Sequence, residues 1–391
     1  MAGRKFEKNF DENFDENLKI PYLPCSSKSY SHRFLVLSYV LNRPTKIKNF
    51  SFSEDANITL SALYDNYKFK YYNSRFGKTA ELILLPKWKT KKETHYLKDS
   101  GSSLRFLIPV FLDGKKHKLE GSERLFERPL DYYEKLFKDE GIEFKKSKNS
   151  IEFSGKLTRE KFDVDISKST QFASGMMMAG VNQFDVSYTD GPNIQYIHQT
   201  EDAILRMNKS SEKIEVHVPE DMSNRAFFEI LKYFNRLDGD MPKMKAAKST
   251  DNIIGEWLKS NKSIFDLRNN LDLAPVFTSA LAIKSAMNGK RYKIIGIKNL
   301  EFKESNRTLE IKKVLNLFGY AVSIGRDAIV ICGRTLDFDY ERPIYLNPKE
   351  HRIFHMALIL SCFHKGRVFI KNKECLKKSH FELYSFLGRM K

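Results

Sequence analysis

Seven short stretches carry the residue types that bind phosphate and carboxylate or move protons: cations beside hydroxyls and glycine, and isolated acids. Ser27-Lys28-Ser29-Tyr30-Ser31-His32-Arg33 reads as a helix start. Its backbone amides, Lys28 and Ser29 can hold an anion, and Arg33, one turn on, can add a second contact. Asp99-Ser100-Gly101-Ser102-Ser103-Leu104-Arg105 sets a glycine among hydroxyls, which lets the backbone approach a ligand closely. Between Gly121 and Pro129, Arg124 and Arg128 stand four apart and can share a helical face. Lys303-Glu304-Ser305-Asn306-Arg307 places a carboxylate between cations, either as a plain ion pair or as a proton carrier beside a bound anion. Glu350-His351-Arg352 opens an apolar helix, and Ser169-Thr170-Gln171-Phe172 leads into a small Met-rich helix over 173–180. Asp272 is an acid in an otherwise apolar run, which is costly unless it caps a helix or does chemistry. Taken singly, each stretch also reads as ordinary structure: a cap, a turn or a solvated ion pair.

The elements that must position these residues alternate between helix and strand. A helix is predicted over 29–42 and stopped by Pro44. Another is predicted over 129–140, with Pro129 in its first turn and Gly141 as its stop, followed by a strand from Ile142 to Phe144. Further helices are predicted over 225–237 and 305–317, the latter followed by Gly319 and a strand over 320–324. Residues 213–218 alternate polar and apolar, as a half-buried strand does. Helix, glycine, strand recurs in both halves in pattern but not in letters. No long linker divides the chain, so domain borders are placed at short crossings near Leu23–Pro24 and Val218–Pro219, giving 1–22 plus 219–391 and 23–218.

The composition is that of a globular protein, with 391 residues, 41% hydrophobic and 30% charged. At about 100–200 residues per domain the length predicts two or three domains. No run of about 18 apolar residues predicts a membrane span, and the polar start has no apolar signal core. The four cysteines (Cys25, Cys332, Cys362 and Cys375) form no CxxC pair and read as reduced thiols of a cytoplasmic protein. Lys and Arg number 67 against 49 Asp and Glu, a formal net charge of +18. That excess suits nucleic acid, an acidic membrane surface, or small phosphorylated and carboxylated ligands, and the 30 Phe and 18 Tyr fit either a stacking surface or a large core.

Taken in order, the pieces resemble the 5-enolpyruvylshikimate-3-phosphate synthase family from about Ile20 to Phe381. The motifs are Lys28-Ser29 with Arg33, Gly101 with Arg105, Arg128-Pro129, Ser169 with Gln171-Phe172, Asp272 before Ala274-Pro275, Lys303-Glu304-Ser305 with Arg307, His351-Arg352, and Cys375 with Lys378. The resemblance implies an α/β (α+β) fold of two similar domains, each of three βαβαββ units, an inside-out α/β barrel with the active site in the interdomain cleft. It implies transfer of the enolpyruvyl group of phosphoenolpyruvate to the 5-hydroxyl of shikimate 3-phosphate through a tetrahedral intermediate. The implied shikimate 3-phosphate contacts are Lys28, Ser29, Arg33, Ser169, Thr170, Gln171, Asp272, Asn299 and Lys303. Those to phosphoenolpyruvate are Lys28, Gly101, Arg128, Gln171, Arg307, Arg352 and Lys378. Lys28, Asp272 and Glu304 are the implied catalytic residues: Asp272 serves the 5-hydroxyl and Glu304 exchanges a proton with C3. The scheme needs no metal and no cofactor, and it implies a cytoplasmic monomer acting on small molecules, with no membrane or nucleic-acid partner.

Several positions depart from the family pattern. Asp99 stands for Asn, Thr170 for Ser, and Asn306 and Glu350 for Asp. An extra residue lies in Pro24-Cys25-Ser26-Ser27-Lys28, and Lys378-Ser379-His380-Phe381 lacks the usual proline. The expected Ser and Tyr are not evident around 190–193. The related transferases acting on UDP-N-acetylglucosamine carry a loop cysteine, and the stretch 113–128 has none.

Overall fold

The computed structural model describes residues 12–74, 77–209, 211–242, 253–303 and 305–389. The chain divides into two compact units: Ser26–Glu220, and a second that runs through Cys25 and resumes at Asp221.

One chain order is repeated in each unit. In the first, Thr94–Tyr96, helix Gly101–Val110, Asp113–Glu120, helix Asp131–Asp139, Glu143–Lys146 and Ser150–Lys156 follow one another as βαβαββ. The first two strands pair parallel and the others antiparallel. In the second unit, Ile264–Asp266, helix Ala274–Asn288, Tyr292–Ile295, helix Arg307–Leu317, Tyr320–Ile324 and Ala328–Arg334 repeat both the order and the pairing. A third sheet has the same pattern, with Thr45–Lys48 parallel to Ile214–His217 and antiparallel to Gly77–Leu84, which pairs with Lys68–Ser74. The fold is therefore the mixed α/β arrangement that the repeated pattern implied.

Three helices fill the middle of each unit. In the first these are α1 (Lys28–Leu41), α2 (Gly101–Val110) and α3 (Gln171–Ala179), packed on one another. In the second they are α4 (Met222–Tyr233), α5 (Ala274–Asn288) and α6 (His351–Ser361). Their composition explains the position: α5 is buried from Ala274 to Ile283 and α6 along its whole length, and a helix apolar on every side has to be enclosed. The hydroxyls inside turn back on their own helix, Thr278 to the Ala274 carbonyl (2.5 Å) and Ser361 to that of Ala357 (2.8 Å), so burial leaves them satisfied. On α3, Gly175 lets the helix lie against the Arg105 carbonyl and the Tyr133 hydroxyl, where a side chain would overlap both. No helix among the described residues is long and apolar enough to cross a membrane.

Several boundaries differ from expectation. The helix expected over 129–140 spans Asp131–Asp139, so Pro129 stands before it and not in its first turn; a separate short helix, Glu123–Glu127, ends before Arg128, which is extended (φ −70°, ψ 148°). Proline disfavours helical backbone at the residue before it, so Arg124 and Arg128 do not share a helical face. The helix expected over 225–237 starts at Met222, capped by the Asp221 carboxylate on the Asn224 N–H (3.0 Å). The helix expected over 305–317 starts at Arg307 with Asn306 as cap, and the Met-rich helix starts two residues early, at Gln171. The strand Tyr320–Ile324 falls where expected, after Gly319 with φ +75°.

His32 on α1 donates or accepts at the Thr59 hydroxyl (2.7 Å) and is fully enclosed. Burial pulls its pKa down to about 3, with the charges of Lys28 and Arg33 adding to the effect against Asp55. The unfolded chain therefore binds this proton below pH 6.5 while the folded chain does not, so stability falls as pH drops. In urea unfolding, the wild type is expected to lose about 1 kcal/mol more than His32→Asn between pH 6 and pH 5. Equal losses would show that His32 charges in the folded state.

Candidate functional site

In the unit Ser26–Glu220, α1 begins with Ser27 capping the Tyr30 N–H, which puts Lys28 and Ser29 in the first turn. Lys28 Nζ lies 2.9 Å from Asp55 Oδ2, and both side chains are largely buried. Asp55 is in the first turn of helix Glu54–Leu63, where the helix dipole favours a negative charge. Ser29 donates to Gln199 Oε1 (2.8 Å). Arg33 is 3% exposed. Its Nε donates to Thr200 Oγ1 (2.8 Å), one terminal nitrogen to the carbonyl and hydroxyl of Ser29 (2.9 and 2.6 Å), and the other to the Tyr196 carbonyl (2.6 Å). Burial lowers its pKa to about 10, which leaves it charged at neutral pH. Arg33 thus ties α1 to helix Gln195–Met207, and a ligand reaching it has to displace one of these partners.

The glycine expected at a helix start opens α2, after Ser100 caps the Ser103 N–H. The guanidinium of Arg128 lies directly over Gly101, in the space a side chain would fill. A helix N-terminus and a guanidinium therefore converge, an arrangement suited to an oxyanion. Gln171, the first residue of α3, joins them: its Nε2 donates to Ser102 Oγ (3.0 Å) and its Oε1 accepts from Arg105 (3.1 Å). Arg105 also donates to the Pro129 carbonyl (2.7 Å), fixing the backbone just after Arg128. Ser169 and Thr170 precede α3, with Ser169 Oγ accepting from the Gln171 N–H (3.3 Å) and Thr170 as N-cap residue.

In the other unit, Asp272 sits in the short turn Leu271–Leu273 that leads into α5. Three of the residues expected from sequence surround it. Its Oδ1 lies 2.7 Å from Arg307 and 3.4 Å from Lys303 Nζ, and its Oδ2 lies 3.1 Å from Arg352. Arg352 also donates to its main-chain carbonyl (3.1 Å). Arg307 is held from behind by Glu350, Nε to Oε1 at 2.7 Å, with both side chains buried (1% and 2% exposed). Asn299 lies in the turn Lys298–Phe302 just before Lys303, and Lys378 closes the turn Lys373–Lys378, half-buried. Glu304 lies outside the described residues.

Asp55, Gln199 and Thr200 went unread in the sequence, and so did Gln195. Gln195 is buried, and neither end of its amide has a hydrogen-bond partner among the described residues. Only Asp55 carried a local signal: an acid on the inward side of a capped helix.

Comparison with known proteins gives the arrangement a family. Residues 17–231 match the model of EPSP synthase (3-phosphoshikimate 1-carboxyvinyltransferase), and the chain belongs to that family. It is 27% identical to a 3-phosphoshikimate 1-carboxyvinyltransferase of Brachyspira hyodysenteriae, covering 91% of this chain and 92% of that protein. With a namesake from Clostridium novyi it shares 25% over 90% and 91%. Among solved structures, EPSP synthase from Acinetobacter baumannii superposes with TM-score 0.67 at 17% identity, covering 96% of this chain and 97% of that one. The enolpyruvyl transferase NikO from Streptomyces tendae superposes with TM-score 0.67 at 10% identity, covering 96% of both chains. These structures share the fold.

Removing one member of a buried ion pair leaves the other charge stranded, at a cost of about 3 kcal/mol. Glu350→Gln is therefore expected to lower stability by about that amount in urea unfolding, through Arg307. A loss below about 0.5 kcal/mol, the size of a surface effect, would show that Arg307 does not depend on Glu350.

Proposed function

We propose that this chain transfers the enolpyruvyl group of phosphoenolpyruvate to the 5-hydroxyl of shikimate 3-phosphate and releases inorganic phosphate. In this reading C3 of phosphoenolpyruvate takes a proton from Glu304 while the 5-hydroxyl oxygen bonds to C2 and yields its proton to Asp272. The ketal then loses phosphate from C2, which carries off the proton Asp272 took, as Glu304 recovers the C3 proton and the double bond is restored. Arg128 with the start of α2 at Gly101, and Arg307, Arg352, Lys378 and Gln171, bind the phosphate and carboxylate of phosphoenolpyruvate. Ser29, Arg33, Ser169, Thr170, Asn299 and Lys303 bind shikimate 3-phosphate, and Lys28 touches both. Residues 23–218 and the pair of segments 1–22 and 219–391 each contribute one set, in a chain acting as a cytoplasmic monomer.

The observation that carries the reading is the Asp272 carboxylate held by Lys303, Arg307 and Arg352. Cations fixed in advance around a site of developing charge lower the barrier without rearranging during the reaction. A carboxylate among them is placed to take a proton from a hydroxyl.

Steady-state phosphate release with both substrates tests this. Turnover is expected only when both are present, and Asp272→Asn and Glu304→Gln are each expected to lower kcat by at least about 100-fold. Gly101→Ala, which pushes Arg128 aside, is expected to raise KM for phosphoenolpyruvate more than for shikimate 3-phosphate. Absence of turnover in the wild type, or unchanged kcat in Glu304→Gln, would overturn the assignment.

A further inference from the structure

A few residues along the chain from Lys28 and Lys378, a thiol, an imidazole and a carboxylate meet within one unit. Ligand atoms of Cys25, His380 and Glu382 all lie within 4.8 Å of one another. Cys25 and His380 are both enclosed. Their surroundings hold them in place. The Cys25 carbonyl accepts from the Asp221 N–H (2.9 Å), and its sulfur accepts from Asn224 Nδ2 (3.2 Å). The same nitrogen reaches the Ser379 carbonyl (3.2 Å), so one side chain on α4 ties Cys25 to the residue preceding His380. Asn224 is 1% exposed, and its Oδ1 has no hydrogen-bond partner among the described residues. An unclaimed buried oxygen thus belongs to the same amide that donates to the Cys25 sulfur. Both Cys25 and His380 occupy places where the sequence departs from its family's pattern, the extra residue before Ser26 and the altered ending after Lys378.

Both ring nitrogens of His380 already have a partner: Nε2 donates to the Leu23 carbonyl (3.2 Å) and Nδ1 accepts from His355 Nε2 (3.0 Å), so a cation would replace one of these two hydrogen bonds.

We propose that Cys25, His380 and Glu382 bind a single divalent cation of the zinc class. One sulfur, one nitrogen and one oxygen donor suit zinc or cobalt better than magnesium or calcium, and three protein donors leave a fourth position for water.

Cobalt(II) titration of the full, chelator-treated chain tests the site directly. Binding of one equivalent is expected, with a near-ultraviolet thiolate-to-cobalt charge-transfer band and the strong visible bands of tetrahedral cobalt, all removed by zinc. Cys25→Ser is expected to abolish the charge-transfer band and weaken binding by more than about 100-fold, since losing a direct ligand costs more than losing a second-shell partner. Glu382→Gln keeps the band with weaker binding, which guards against misfolding of the cysteine variant. Exposed Cys332→Ser leaves everything unchanged. A wild type without the band, or a band that survives Cys25→Ser, overturns the proposal. The readout is spectroscopic, so it stands or falls apart from the enolpyruvyl-transfer reading.

Discussion

A protein that binds small anions through several cations must hold those like charges together before any anion arrives. In the unit that resumes at Asp221, one carboxylate does this: Asp272 lies within ion-pair distance of Lys303, Arg307 and Arg352. Glu350 adds a second anchor behind Arg307. Three cations against two acids leave a net positive patch whose geometry is already set. In Ser26–Glu220 the same constraint is met by Asp55 against Lys28 and by carbonyls and hydroxyls around Arg33. The interior helices depend on this as well. Helix α5 begins two residues after Asp272 and α6 begins directly after Glu350, so both carboxylates stand at the entry of a buried helix.

Much of this was legible in the sequence because the residues expected to bind substrate cluster locally. Lys28-Ser29, Ser100-Gly101, Ser169-Gln171 and Lys303-Arg307 each sit beside a helix start, and a helix start has a local signature of cap residue, small residue and apolar run. Asp272 stood out for the opposite reason, as an acid where apolar residues were expected. The partners were illegible because they are remote in sequence. Nothing near Lys28 points to Asp55, and nothing near Ser29 points to Gln199, 170 positions away. Arg124 and Arg128 failed as a helical pair because Pro129, directly after Arg128, keeps Arg128 out of helical backbone and outweighs the spacing. The cysteine–histidine–glutamate cluster was invisible as well, since Cys25 and His380 come from opposite ends of the chain.

The charge excess divides accordingly. Lys303, Arg307 and Arg352 gather on Asp272 in a preorganised set that suits small anions, and such a set needs no polymeric partner. Many of the other lysines form exposed pairs of little energetic weight, such as Lys46 and Lys48 with Glu215. The abundant aromatics are largely structural too. Phe34, Phe50, Phe106, Phe137, Phe153, Phe172 and Phe227 are among the largest enclosed side chains. They make the two cores large enough to carry charge in their interior.

Preorganised cations make a specific thermodynamic demand, which isothermal titration of shikimate 3-phosphate reads most directly, with and without an anionic phosphoenolpyruvate mimic. Cations held ready for two anions predict that shikimate 3-phosphate binds, that unphosphorylated shikimate binds much more weakly, and that the mimic tightens binding by at least about tenfold, a coupling of about 1.4 kcal/mol. Equal binding of shikimate and its phosphate, with no tightening by the mimic, would contradict it.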